Sequence, residues 1–230
     1  MKVDFKQFIV YEDNDFLVIN KPANLLVRPT KYQKENTLID YLKDYYPKIK
    51  EVGESLRPGL VHRLDKDVSG LMVIAKTKES YTSLISQFKN HQVKKVYLGL
   101  VSGHPPEEKG LINFPLARTK NGKIVAVRYE GKIKMKKEAE TKYKVINKFK
   151  KYSLLKIEPS TGRTNQIKVH LKAIGCPLVE VGNRVFLHAA CLGFHDLKNK
   201  WQEFESVLPA ELKDFLSALG GSSVGGKEIK

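Results

Sequence analysis

The segment RVFLHAACLGF, residues 184–194, is apolar on both alternations of a strand. A strand can satisfy that pattern only if both of its faces are covered, so it predicts a central strand inside a layered fold. Leu71-Met72-Val73-Ile74-Ala75 is a second short β-rich apolar run. Around these two, the pattern alternates irregularly. FIVYEDNDFLVINK (8–21) is two β-rich runs about Asp13-Asn14-Asp15, which predicts a hairpin. VKKVYLGLVSG and SLLKIE (153–158) read as further strands. Helical spacing recurs in Asn36–Tyr45, which Pro47 ends, and in Ser80–Phe88, where Tyr81, Leu84, Ile85 and Phe88 share a face. It also marks TNQIKVHLKAIGCP, with Ile167, Leu171 and Ile174 inward and Gly175 as the cap, and ELKDFLSAL. Strands and helices alternate irregularly, with several hairpins, so the expected class is α+β, a mixed and largely antiparallel central sheet flanked by helices. One domain over 1–219 is expected, with 220–230 as a flexible tail.

In the stretch PGLVHRLDKDVSGLMVIAKT, residues 58–77, His62, Arg63, Leu64, Asp65, Lys66 and Asp67 lie between two apolar runs. Charges held at so rigid a place are costly unless paired or used. A kinase catalytic loop is excluded by the order His-Arg-Leu-Asp and by the lack of Asp-Phe-Gly. A metal site from His62, Asp65 and Asp67 lacks a second ligand cluster and faces basic neighbours, so no metal is expected. Val68-Ser69-Gly70-Leu71 is no nucleophile elbow. What remains is Asp65, kept ionised by nearby cations, either as a catalytic carboxylate or as a structural ion pair.

The charge balance indicates a partner. Lys and Arg outnumber Asp and Glu by 41 to 25, a net +16. Between Arg118 and Lys151 lie 13 basic residues against three acidic ones. A polyanion such as RNA or DNA fits that excess, with a solvated lysine-rich surface as the plainer reading. No apolar run reaches 18 residues and the N-terminus lacks a secretory pattern, so a cytoplasmic location and no membrane partner are expected. Cys176 and Cys191 have no disulfide or zinc spacing and are expected to be reduced core thiols.

PGLVHRLDKDVSGLMVIAKT resembles the signature of the RluA-type pseudouridine synthases. So, in the family's order, do EDNDFLVINKPANLLVRP, VKKVYLGLVSG, STGRTNQIKVHLKAIGCPL and LHAACLGF. The resemblance implies isomerisation of uridine to pseudouridine in structured ribosomal or transfer RNA, by a monomer without cofactor. It makes Asp65 the catalytic residue, which adds to the base, bonds C1′ or abstracts a sugar proton. Tyr97 carries over as the aromatic that stacks on the flipped uracil, and Arg163 as the cation that holds the carboxylate. Arg63 and Lys94 are candidate phosphate contacts, His62 a structural hydrogen-bonding group, and Leu187 an apolar wall under the base. The sequence departs from the family at Asn165, where His is usual, at Lys168, Asn24 and Arg28, and in a shortened 178–187 connection. An N-terminal RNA-binding extension is not expected, which leaves the basic 118–151 segment to grip RNA. A synthase-like RNA-binding protein without activity is the alternative from another class. A nucleic-acid hydrolase using Asp65 and Asp67 is the third reading.

Overall fold

The computed structural model describes residues 4–29, 36–127 and 136–220. In chain order its elements are β1 (Ile9–Glu12), β2 (Phe16–Lys21), α1 (Leu38–Tyr45), β3 (Ser69–Ala75), α2 (Lys78–Lys89), β4 (Lys94–Ser102), β5 (Lys109–Ile112), β6 (Leu116–Arg118), β7 (Ile124–Ala126), β8 (Lys136–Lys137), β9 (Thr141–Lys148), β10 (Tyr152–Pro159), α3 (Gln166–Ala173), β11 (Glu180–Val181), β12 (Arg184–Val185), β13 (Leu187–His195), β14 (Trp201–Glu205) and α4 (Ala210–Ala218). The class is the α+β expected, with a mixed, mostly antiparallel sheet. The chain divides into two compact units. One holds the residues up to Lys94 together with Cys191–Ser206, and the other holds Lys95–Ala190 with the residues from Val207 on.

In the first unit, β1 and β2 form the hairpin read from residues 8–21. Asp13 Oδ1 closes its turn by accepting the N–H groups of Asp15 and Phe16, both at 2.8 Å. β2 pairs antiparallel with β3, from Phe16 opposite Ala75 to Lys21 opposite Gly70. β3 is buried at every position, as its unbroken apolar run requires. Thr37 begins α1, its N–H donating to Asp40 Oδ2 at 2.9 Å, and Leu38, Ile39 and Leu42 turn inward.

The buried face of α2 differs from the one its spacing predicts. Ile85 is 37% exposed and Gln87 is buried. Gln87 donates to the carbonyl of His195 and accepts its N–H, each at 2.8 Å. Two backbone groups satisfied by one amide outweigh the burial of a single aliphatic side chain there. β14 pairs antiparallel with residues 191–195 of β13.

In the second unit, β4, β10, β9 and β5 lie side by side and antiparallel, with β5 at the edge. β6 and β7 form a basic hairpin about Asn121-Gly122, where Gly122 takes φ +79°. Glu130 and Gly131, where a second glycine turn in the basic segment would fall, lie outside the described residues, as do Arg128, Lys132, Lys134 and the tail from residue 221. α3 buries Ile167 and Leu171 and ends before Gly175, at φ +81°.

The run 184–194 is not one strand. Arg184 and Val185 belong to a hairpin with β11, and β13 starts at Leu187. Arg184 sets this boundary: it is 5% exposed, with Nη1 2.7 Å from Glu211 and Nη2 donating to the Leu187 carbonyl at 3.0 Å. From Leu187 to Phe194 the strand is buried throughout. Cys176 and Cys191 are both free and buried, and burial pushes the Cys191 thiol up to about 12.

Candidate active site

The first unit presents Asp65 on a short turn between two anchors. Upstream, Gly59 takes φ +69°, and a Cβ there would lie 2.8 Å from the Ala75 carbonyl, so only glycine closes the chain against β3. Leu60, Val61, Leu64 and Val68 are buried on either side, which leaves the charged positions little freedom. The N–H of Val68 donates to the Asp65 carbonyl at 3.2 Å and closes the turn. The Asp65 side chain is 23% exposed, and Arg63 Nη2 approaches its Oδ1 at 3.9 Å. Arg63 itself is half exposed, open to a phosphate as well as to Asp65.

His62 turns away from this turn into the core. Its Nε2 accepts the N–H of Val73 at 3.0 Å, and its ring stacks on Phe88 at 4.5 Å. Lys94, in the same unit, ion-pairs with Glu203 at 2.8 Å.

Sequence reading overlooked Lys21. It ends β2 with no exposed surface, and its ammonium donates to the carbonyls of Pro22 (2.7 Å), Leu25 (3.0 Å) and Lys66 (3.3 Å). Lys66 follows Asp65, so this buried cation ties the Asp65 turn to the loop after β2. The one available signal was a lysine on the buried alternation of an apolar strand, immediately before Pro22.

The second unit carries Tyr97, Leu187 and Arg163. Tyr97 lies on β4 opposite Ile157 of β10. Two residues along, a Cβ on Gly99 would lie 2.7 Å from Ile157 Cδ1 and 3.3 Å from Leu187 Cδ1. The Tyr97 face of β4 is therefore lined by Ile157 and Leu187, with glycine leaving room for both.

Arg163 is exposed on the turn after β10, and its Nε donates to the Glu138 carbonyl at 2.9 Å. A buried polar network fixes that turn. Gln166 Oε1 accepts from the Arg163 N–H (3.0 Å) and the Thr161 hydroxyl (2.7 Å), while its Nε2 donates to the Glu140 carbonyl (2.8 Å) and Thr141 Oγ1 (3.0 Å). His170, fully buried, extends it with one ring nitrogen 2.9 Å from Thr141 Oγ1 and the other 2.9 Å from the Phe114 carbonyl. Burial holds this imidazole below its ordinary pKa. Asn165 sits at φ +55°, a left-handed position that asparagine tolerates better than most residues.

Lys95 shares the Tyr97 face of β4, with Nζ 3.4 Å from the Thr161 carbonyl. Burial pushes its amine down to about 8. Between about pH 8 and its ordinary value near 10.4, the unfolded chain holds a proton that the folded chain releases, so stability rises with pH in that window. Lys95→Met is expected to remove this rise, measured as urea midpoints of both proteins from pH 7.5 to 10.5. Parallel curves would show that Lys95 titrates as if in water. Among the described residues no cluster of His, Cys, Asp and Glu has the geometry to hold a metal.

A family model described as RNA pseudouridylate synthase matches residues 15–173. A Chloroflexus aurantiacus protein called an uncharacterized RNA pseudouridine synthase is 41% identical over 213 residues, covering 87% of this chain and 65% of the relative. The ribosomal large subunit pseudouridine synthase D of Zymomonas mobilis is 36% identical over 228 residues, covering 89% of this chain and 70% of that protein. This chain thus spans just under two thirds of the Chloroflexus relative's length. A human protein, RNA pseudouridylate synthase domain containing 4, superposes with TM-score 0.74 over 94% of both chains at 24% identity, a likeness of fold.

Proposed function

The chain belongs to the RNA pseudouridylate synthase family, of the RluA type that its motifs resemble, and from that premise we propose that it isomerises uridine within folded RNA, with Asp65 as the catalytic carboxylate. The reaction breaks the bond from N1 of uracil to C1′, turns the base, and joins C5 to C1′, with the C5 proton lost to solvent and one gained at N1. Atoms and electrons balance without a cofactor. The observation that carries the reading is a carboxylate held on a short turn between buried anchors, next to a half-exposed arginine. Such a turn aims one reactive group without burying it.

A uracil stacked inside a folded RNA is out of reach, so it must be extruded. Tyr97, on a rigid strand, would stack on the flipped base, and Leu187 would form the apolar wall beside it. Arg163 would hold the carboxylate, and Arg63 would meet a phosphate. Lys94 is the weaker phosphate contact because Glu203 already engages it. His62 would keep the strand entry in place through Val73.

Large-subunit ribosomal RNA is the first substrate to test, since the Zymomonas relative's name specifies it. Transfer RNA is the second, and a cytoplasmic monomer is the expected state. No helix among the described residues is long and apolar enough to cross a membrane. The experiment is tritium release from C5-labelled uridine in unmodified ribosomal and transfer RNA transcripts. Release from one pool is expected. Salt-sensitive binding of both pools with no release would support the inactive RNA-binding reading, for which the short hairpin replacing the 178–187 connection is the structural motive. Strand cleavage would support the hydrolase.

A further inference from the structure

The antiparallel register of β5, β9 and β10 arranges side chains into rows across the strands. Lys109 stands opposite Lys144, and Lys144 opposite Lys156. The adjacent row on the same face runs Leu111, Lys142, Glu158. Directly opposed residues share a face with Cβ atoms about 5 Å apart, and like charges placed there repel. In these two rows four lysines meet one carboxylate, Glu158, which Lys156 Nζ approaches at 3.8 Å. Lys109, Lys142 and Lys144 are exposed, on or next to the edge strand β5.

Register also says which face this is. Tyr97 is opposite Ile157, and Ile157 is opposite Tyr143, so these three point the other way. The lysine rows therefore occupy the reverse of the sheet surface that carries Tyr97. A solvated lysine surface needs no such alignment, because alternating signs across the strands would be just as soluble and more stable. A sheet that keeps in-register repulsion holds ammonium groups at fixed spacing for an anion.

We infer that Lys109, Lys142 and Lys144 form a phosphate-docking surface for a second segment of the folded RNA, away from the nucleotide being isomerised, with Lys156, only 14% exposed, adding its charge from behind them. This rests on the synthase reading for its partner. The RNA would then engage both sides of the second unit's sheet, around the β5 edge.

The test replaces Lys109, Lys142 and Lys144 together by Gln in the full chain, with a charge-matched control at Lys6, Lys50 and Lys89. Affinity for a large folded ribosomal transcript is measured between 50 and 200 mM salt. The row variant is expected to bind on the order of 10³-fold more weakly at 50 mM salt, and its log–log salt slope to fall by roughly 2 to 3, at about 0.7 to 0.9 per lost phosphate contact. Its melting temperature is expected to rise, since the repulsion is relieved. The control should move neither the slope nor the melting temperature as far. An unchanged slope, or an equal fall in the control, overturns the surface and leaves only diffuse net charge. Tritium release by the wild type, run in parallel, reports separately on the synthase reading, so failure of one does not masquerade as failure of the other.

Discussion

Asp65→Asn is expected to bring pseudouridine formation below detection, a loss on the order of 10⁴-fold or more in kcat, while RNA affinity stays within a few fold. Asparagine keeps the shape of the side chain, and the Val68 N–H closes the turn on the backbone carbonyl of residue 65, which the substitution leaves in place. The ion pair with Arg63 is long, at 3.9 Å, and the arginine is 51% exposed, so losing it should lower stability by less than about 1 kcal/mol. In the proposed mechanism what disappears is the reacting group. Asp67, two residues on in the same turn, supplies the control: Asp67→Asn should retain turnover. Tritium release, RNA affinity and melting temperature are measured for all three proteins. If Asp65→Asn lost folding and RNA binding in proportion to activity, the carboxylate would be a structural ion pair. If Asp67→Asn were equally dead, a two-carboxylate chemistry would have to be considered instead.

Elements whose identity rests on local pattern are legible in the sequence. The 8–21 hairpin, β3, β4, β10 and α1 all form where their patterns put them, although Val10 and Tyr11 of β1 are exposed. The class followed from them. What the pattern could not show were polar side chains buried by partners far along the chain. Gln87 reaches a backbone 108 residues away, and so takes the inward place that spacing assigns to Ile85. Arg184 sits inside an apolar run yet leaves the strand, because Glu211 and the Leu187 carbonyl hold it elsewhere. Gln166, Thr141 and His170 read as ordinary helix and strand positions, and only the fold makes them one network under the Arg163 turn. Of the candidate site residues, Asp65, Tyr97 and Arg163 came from ordered motifs rather than from periodicity.

Lys21 lies 45 residues from Lys66, whose carbonyl it binds, and it carries the second large prediction. Lys21→Met keeps a long unbranched side chain in a site with no exposed surface, and it removes all three donors of the ammonium. The carbonyls of Pro22, Leu25 and Lys66 then lose the donor they share, at about 1 to 3 kcal/mol for each that water cannot reach. The backbone can relax towards water at one of the three, so a net loss of about 4 kcal/mol is expected. For a domain this size that lowers the melting temperature by roughly 8 to 16 °C. The catalytic consequence has a different signature. Because Lys66 adjoins Asp65, a freed turn should misaim the carboxylate, so kcat at a temperature well below melting falls while KM for RNA changes little. Lys94→Met is the comparison, since its pair with Glu203 is a third exposed on both sides and should contribute at most about 1 kcal/mol. A melting shift in Lys21→Met no larger than in Lys94→Met would mean the three carbonyls find other donors. A shift in melting with kcat preserved would make Lys21 a brace for the fold alone, and the aim of Asp65 would then have to come from its buried flanks, Leu64 and Val68.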